Sequence, residues 1–390
     1  MTDPISRLFD DFDGGKISRR QLLQALAAAA VAIPAASFAQ GTQGTQGTPG
    51  RGNVPRDTTP LVMPFEPTGW RTVWLDHLNY QCVDYEKAAA FYSALMGWKV
   101  RSDDGKQAVL DIGENSGGII IRGGLTMPPP AAITDAGLGV ARPPIQAVFD
   151  GFAWGIDPWD TNKVEAELKK RGLNPVADHH GSDYKSFRVK DPDGFDLAIT
   201  NGTKANRRKG PANAKLKAPA PFEPTGWNTL YVDHISFEVP DYRRSAAFYQ
   251  ALLNWTPGRP GGGGGGQTTV QIGDVAGAII RGNAAARTAT SVAAVAAGRG
   301  SHNDSVAAAA PPPPPPPNGV TAAIGHISFG IENWDSQRVH DELMKRDVAY
   351  TTRDGKREPR VDNTGTLLSW HVPDAMGWDL QIGNKIKPGP

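Results

Sequence analysis

Eight histidines and one cysteine are the residues of this sequence best suited to hold a metal or to move a proton near neutral pH. With Cys82 alone, an intramolecular disulfide framework and any Cys-rich zinc module are excluded, and the thiol reads as buried and inert. His77 and His234 each follow an aspartate in closely similar segments, so a shared fold role, such as a strand-end hydrogen bond, is one reading of both. His326 is the more telling residue, because its counterpart is Gly151 and no repeat-wide role explains it. Two neutral imidazoles with an oxygen donor suit Fe(II), Mn(II), Zn(II) or Ni(II) and leave positions open for a bidentate substrate. His179, His180, His302, His340 and His371 read as surface or packing residues.

The elements that must position these residues come from a repeat. Residues 64–98 (PFEPTGWRTVWLDHLNYQCVDYEKAAAFYSALMGW) recur without a gap at 221–255 (PFEPTGWNTLYVDHISFEVPDYRRSAAFYQALLNW), a constant offset of 157. Each copy begins with an alternating strand, 75–83 and 232–239, ending in Asp-Tyr; a helix with one apolar face follows. A second half-unit repeats at an offset of 175, Gly151–Leu173 matching His326–Val348. Asp160 and Asp335 stand where helix N-caps belong, with Val164/Leu168 and Val339/Leu343 as apolar pairs. The closing strands, Ser186–Ile199 and Ser369–Ile382, repeat at an offset of 183. Four half-units of strand, helix and strand meander make two domains.

Lys and Arg number 41 against 40 for Asp and Glu, so no long-range field draws nucleic acid or an acidic membrane. Arg19-Arg20 precede a short alanine-rich apolar run, and Ser37-Phe38-Ala39 offers a small-residue exit; residues 1–39 read as a signal peptide resembling the twin-arginine kind. The mature protein is therefore expected outside the cytoplasm, in a bacterial periplasm. Residues 40–63 read as a flexible linker, 202–220 as a solvated basic linker, and 283–320, with seven prolines at 311–317, as a disordered insertion; Gly261–Gly266 is a further loose turn.

A strand carrying Asp-His, a helix carrying AAFYxxLxxW and a terminal Asp191-Pro192-Asp193-Gly194 hairpin resemble the vicinal oxygen chelate superfamily of glyoxalases, extradiol dioxygenases and bleomycin-resistance proteins. The resemblance implies an α+β fold of two such domains, 64–201 and 221–385, each of paired βαβββ modules whose curled mixed sheets form a cleft. It implies a site built from the first strand of each half-unit and the last strand of the second: His234, His326 and Gln381 in the second domain, but His77, Gly151 and Ala198 in the first. The first copy is thus expected to be degenerate. Gln381 replaces a carboxylate; Asp379, on its face, and Glu238, on the face of His234, are the reserve anionic donors. Trp370, Trp378 and Phe329 line the cleft wall or fill the core. The implied cofactor is a divalent metal, Fe(II) or Mn(II) first and Zn(II) or Ni(II) next, and the implied partner a small molecule with neighbouring oxygens. Ring cleavage and glyoxalase-type lyase or isomerase chemistry both follow, with no catalytic acid or base assigned. The rival expectation is a non-catalytic sequestering protein of the bleomycin-resistance type. The two domains are expected to pair within the chain or across a homodimer.

Overall fold

The computed structural model describes residues 60–126, 140–141, 144–207, 216–258, 266–282, 320–352, 354–363 and 368–383. The signal peptide, linker residues 40–59, Gly261–Gly265 and insertion residues 283–319 lie outside the described residues. In the first repeat the elements are β1 (Arg71–Cys82), α1 (Tyr85–Met96), β2 (Lys99–Asp103), β3 (Gln107–Asp111), β4 (Gly118–Arg122), β5 (Val140–Ala141), β6 (Ala147–Asp157), α2 (Thr161–Lys170), β7 (Val176–Ala177), β8 (Ser186–Lys190) and β9 (Asp196–Thr200). The second repeat gives β10 (Thr229–Val239), α3 (Tyr242–Leu253), β11 (Thr256–Pro257), β12 (Gln267–Ile272), β13 (Ala276–Gly282), β14 (Ala323–Ile331), α4 (Ser336–Lys345), β15 (Tyr350–Thr352), β16 (Arg357–Glu358), β17 (Arg360–Asn363), β18 (Leu368–Pro373) and β19 (Asp379–Gly383).

Each repeat contributes one eight-stranded mixed sheet, ordered β2-β3-β4-β1-β6-β9-β8-β7 and β11-β12-β13-β10-β14-β19-β18-β17. The first strands of the two half-units meet antiparallel at the centre, β1 with β6 and β10 with β14, and each is flanked by a parallel partner. The α+β architecture of two such modules is thus observed. Helices start where the sequence places caps: Asp84, Asp160, Asp241 and Asp335 each accept a backbone N–H of the first turn. Val164, Leu168, Val339 and Leu343 are buried beneath the two helices that carry them.

The strongest sequence motifs hold the repeats together. Asp191 Oδ1 accepts the backbone N–H groups of Asp193 and Phe195, closing the hairpin turn, while its Oδ2 accepts the Tyr249 hydroxyl of the other repeat's α3 at 2.7 Å. Asp374 closes its own turn in the same way and takes the hydroxyls of Tyr80 and Tyr92 from the first repeat. Tyr92 stacks on Trp98, whose Nε1 donates to Thr229; Tyr249 stacks on Trp255, whose Nε1 donates to Thr72. Gly97, which ends α1 at φ +69°, leaves 2.0 Å between a notional Cβ and the Trp227 carbonyl oxygen, so a side chain there would collide with the second repeat. Strand β5 of the first repeat pairs with β15 of the second in a three-stranded sheet. Residues 53–390 accordingly form one compact unit. In the linker, Arg207 reaches Asp111 at 3.3 Å instead of standing free in solvent. Among the described residues no helix is long and apolar enough to cross a membrane.

Candidate metal centre

Strand alternation sends the apolar residues of the second sheet into the core and its polar residues to the opposite face. Register then brings those polar residues together. Antiparallel β10 and β14 pair His234 with Ser328 and Ser236 with His326; parallel β14 and β19 pair Ser328 with Gln381; β18 and β19 pair His371 with Gln381. The resulting face carries His234, His326, His371, Asp379 and Gln381, all buried, with exposures of 8, 6, 2, 1 and 1%.

His234 is held at one nitrogen and presented at the other. Its Nδ1 lies 2.7 Å from the Asp233 carboxylate, so the neighbouring Asp accepts the Nδ1–H and leaves Nε2 as the bare nitrogen. That Nε2 faces His326 Nε2 at 3.1 Å, with the ring planes nearly perpendicular. The spacing suits an N–H···N hydrogen bond. It equally suits two nitrogens on one metal: bonds of about 2.1 Å at a right angle place the nitrogens roughly 3.0 Å apart. Gln381 donates from Nε2 to Ser369 Oγ at 2.7 Å, which fixes the amide, and its buried Oε1 has no hydrogen-bond partner among the described residues. A buried carbonyl oxygen left so costs on the order of 1–3 kcal/mol, which a ligand would recover. Two imidazole nitrogens 3.1 Å apart and an orphaned carbonyl oxygen on the same face are donor types that suit a divalent metal.

The reserve donors stand differently. Asp379 is on the site face, yet it accepts the Tyr350 hydroxyl at 2.7 Å, meets Arg360 at 3.3 Å and contacts His371 Nδ1 at 3.1 Å. Glu238 sits one pleat beyond Ser236 on β10, opposite Ala323. His371, expected at the surface or in packing, is instead on this face, its ring 5.1 Å from that of His326. His326, His371 and Asp379 each place a donor atom within 4.8 Å of the others'. Burial lowers the His371 pKa, with Arg360 acting the same way, against the opposing pull of Asp379, so the imidazole is held neutral. The repeat itself carried the signal for this residue: His371 aligns with Arg188, eight positions before Asp379 as Arg188 is before Asp196.

The other histidines and aromatics have structural work. His179 Nδ1 accepts the Ser186 N–H, His340 lies between Asp341 and Glu358, and His302 lies outside the described residues. Phe329 and Trp378 are core residues, packed on Trp98 and on Tyr80 and Phe149, while Trp370 is half-buried and donates to the Ser336 carbonyl. Cys82 is buried and its thiol pKa is pushed up to about 12, chiefly by burial.

In the first sheet the equivalent face is closed by ion pairs. Arg122 binds both oxygens of Asp150, and Asp196 is held by Arg188 and Lys190. His77 keeps its Asp76 partner at 2.7 Å, but the position of His326 is Gly151 and that of Gln381 is Ala198. A cleft of about 120 Å³ remains, lined by His77, Asn79, Arg122, Arg188 and Asp196 among others.

Residues 74–199 match the Glyoxalase/Bleomycin resistance protein/Dioxygenase superfamily, so the first repeat belongs to it, and the second repeats its fold strand for strand. The 2,3-dioxygenase LapB from Pseudomonas sp. KL28 superposes with a TM-score of 0.51 at 14% identity, over 82% of this chain and 95% of that one. An Mn(II)-bound glyoxalase from Novosphingobium aromaticivorans gives 0.48 at 13%, over 80% and 82%. A ring-cleaving extradiol dioxygenase from B.fuscum gives 0.49 at 14%, over 86% and 76%. At 14% identity the likeness to LapB establishes the fold alone. No protein of curated function matches the sequence.

Proposed function

We propose that this chain is an exported, metal-dependent enzyme of the glyoxalase/dioxygenase type, its second repeat (221–385) catalytic and its first (64–201) a degenerate, supporting copy. The observation that carries this reading is the approach of His234 and His326 Nε2 to 3.1 Å on a buried face that also holds the orphaned Gln381 carbonyl oxygen. His234, His326 and Gln381 are assigned as ligands of Fe(II) or Mn(II), with Zn(II) and Ni(II) as the next candidates. Bound there, a divalent metal supplies Lewis acidity and open positions for two neighbouring oxygens of a small organic substrate. The chain's own part is positional. Asp233 fixes the tautomer and aim of His234, Ser369 holds the Gln381 amide, and burial keeps bulk water from these groups. Export follows from the N-terminal residues alone: Arg19-Arg20, the apolar run and Ala39.

Elemental analysis of the mature protein beside a His326→Ala variant tests the assignment. About one transition metal per chain, lost in the variant, is the expected result. No metal in either, even after anaerobic loading with Fe(II), Mn(II), Ni(II) or Zn(II), would overturn the enzyme reading and leave a sequestering protein in its place.

A further inference from the structure

The second repeat holds one more imidazole than its assigned ligand set uses. His371 lies on β18, next to β19 and opposite Gln381, with its ring 5.1 Å from that of His326. Its Nδ1 contacts both oxygens of Asp379, at 3.1 and 3.2 Å, so Asp379 accepts the Nδ1–H and Nε2 is the bare nitrogen. That Nε2 is buried and has no hydrogen-bond partner among the described residues, in a side chain only 2% exposed. His234 shows the same arrangement, Nδ1 on Asp233 and Nε2 turned to His326. A carboxylate behind an imidazole that leaves its other nitrogen bare is the arrangement that orients metal-binding histidines. The first repeat supplies the contrast. Arg188 stands at the equivalent position and its guanidinium is satisfied by Asp196.

We propose that His371 Nε2 is a third imidazole ligand of the centre, with Asp379 as its positioning carboxylate rather than as a ligand. The site is then His234, His326 and His371 with the Gln381 carbonyl oxygen, a donor set without charge, in which both nearby aspartates stand one shell out. This rests on the metal-centre reading above and extends it by one residue.

The test counts imidazoles, and activity does not enter it. The mature full-length protein is loaded with one equivalent of Cu(II), and pulsed electron paramagnetic resonance reads the remote nitrogens of coordinated histidines. Three imidazoles in the native chain and two in His371→Gln are expected, with Zn(II) affinity falling 10–100-fold in that variant. Asp379→Asn is expected to keep three imidazoles while weakening Zn(II) binding by a similar factor. Two imidazoles in the native protein would overturn the proposal while leaving the His234–His326 pair intact. Three imidazoles retained in His371→Gln would overturn it as well. Absence of any coordinated imidazole would overturn this proposal and the metal-centre reading together. Because the native count decides by itself, the proposal stays falsifiable if His371→Gln fails to fold.

Discussion

The two sheets of this protein share strand order, register and helix caps, yet their polar faces have gone opposite ways. On the second, His326 and Gln381 project from β14 and β19, and His234 has its nitrogen aimed at His326. On the first, glycine and alanine take those two places, and the charged residues that remain satisfy one another: Arg122 with Asp150, Arg188 and Lys190 with Asp196. The lesson is that a buried polar face must be satisfied either from within, by ion pairs, or from outside, by a ligand. Among the described residues, the site face of the second sheet leaves two acceptors, Gln381 Oε1 and His371 Nε2, without a partner, for something to fill.

Adding charge to the second site is the largest lever on this comparison. Gln381→Glu puts a carboxylate where the amide carbonyl now stands. One unit pair at about 4 Å is worth on the order of 4 kcal/mol at an effective dielectric near 20, so divalent metal affinity should rise about a thousandfold. Competition against a chelator of known strength measures it. The same gain is not expected of Ala198→Glu in the first sheet, where Gly151 offers no imidazole. An Ala198→Glu chain that bound a second metal would erase the distinction between the sheets.

The clasps between the repeats differ as well. Asp374 receives two tyrosine hydroxyls, whereas Asp191 receives one, because Phe237 stands at the place of Tyr80. Burial first, and Asp193 beside it, raise the Asp191 pKa to about 7. Between pH ~4 and ~7 the folded chain therefore keeps a proton that the unfolded chain has lost. Stability falls as pH rises through that window, by up to ~4 kcal/mol. Thermal melts from pH 4 to 8 should show this decline in the native protein and a shallower one in Asp191→Asn, where burial still raises the pKa of Asp374. A flat native profile would mean that Asp191 is ionised throughout and the clasps are alike.

Much of this was legible in the sequence. The gapless recurrence of residues 64–98 at an offset of 157 announced two like modules, and Asp160 and Asp335 marked helix starts that the structure bears out. His326 stood out because its counterpart is glycine. What stayed hidden depends on neighbours across strands. That the hairpin turns and the Phe-Tyr helices lock one repeat to the other is a contact between residues 58 positions apart at Asp191–Tyr249 and 282 apart at Asp374–Tyr92, and periodicity carries no signal for it. His371 was passed over for the same reason: its partner is set by the register of β18 on β19, and only alignment with Arg188 hinted at a site position.

A smaller effect probes whether the first site can be reopened. A Cβ at Gly151 would sit 2.4 Å from the Asp196 carbonyl oxygen and 2.8 Å from its Cβ, so the strand must shift to admit any side chain. Gly151→Ala should cost about 1–3 kcal/mol, as overpacking does, read as a lower Tm. An unchanged Tm would show that the first face yields easily and that its lack of a histidine is not enforced by packing.

The two Asp-His pairs give the finest discrimination, because their local geometry is the same: 2.7 Å from Nδ1 to carboxylate in each. Burial works against ionisation of Asp76, yet hydrogen bonds from His77 and Tyr184 and the charge of Arg101 hold its pKa below the usual carboxylate value. Asp76 thus lends stability above the unfolded carboxylate pKa, and loses it as pH falls through its own lowered pKa. Asp76→Asn should lower Tm at neutral pH and leave metal content alone. Asp233→Asn should do the reverse in emphasis, weakening metal binding 10–100-fold because His234 loses the partner that fixes its tautomer. Isothermal titration with Zn(II) and thermal melts on both variants separate the two roles. Equal losses of Tm with no change in metal affinity would make Asp233 a structural residue like Asp76, and the shared Asp-His motif would then belong to the fold in both repeats rather than to a site in one.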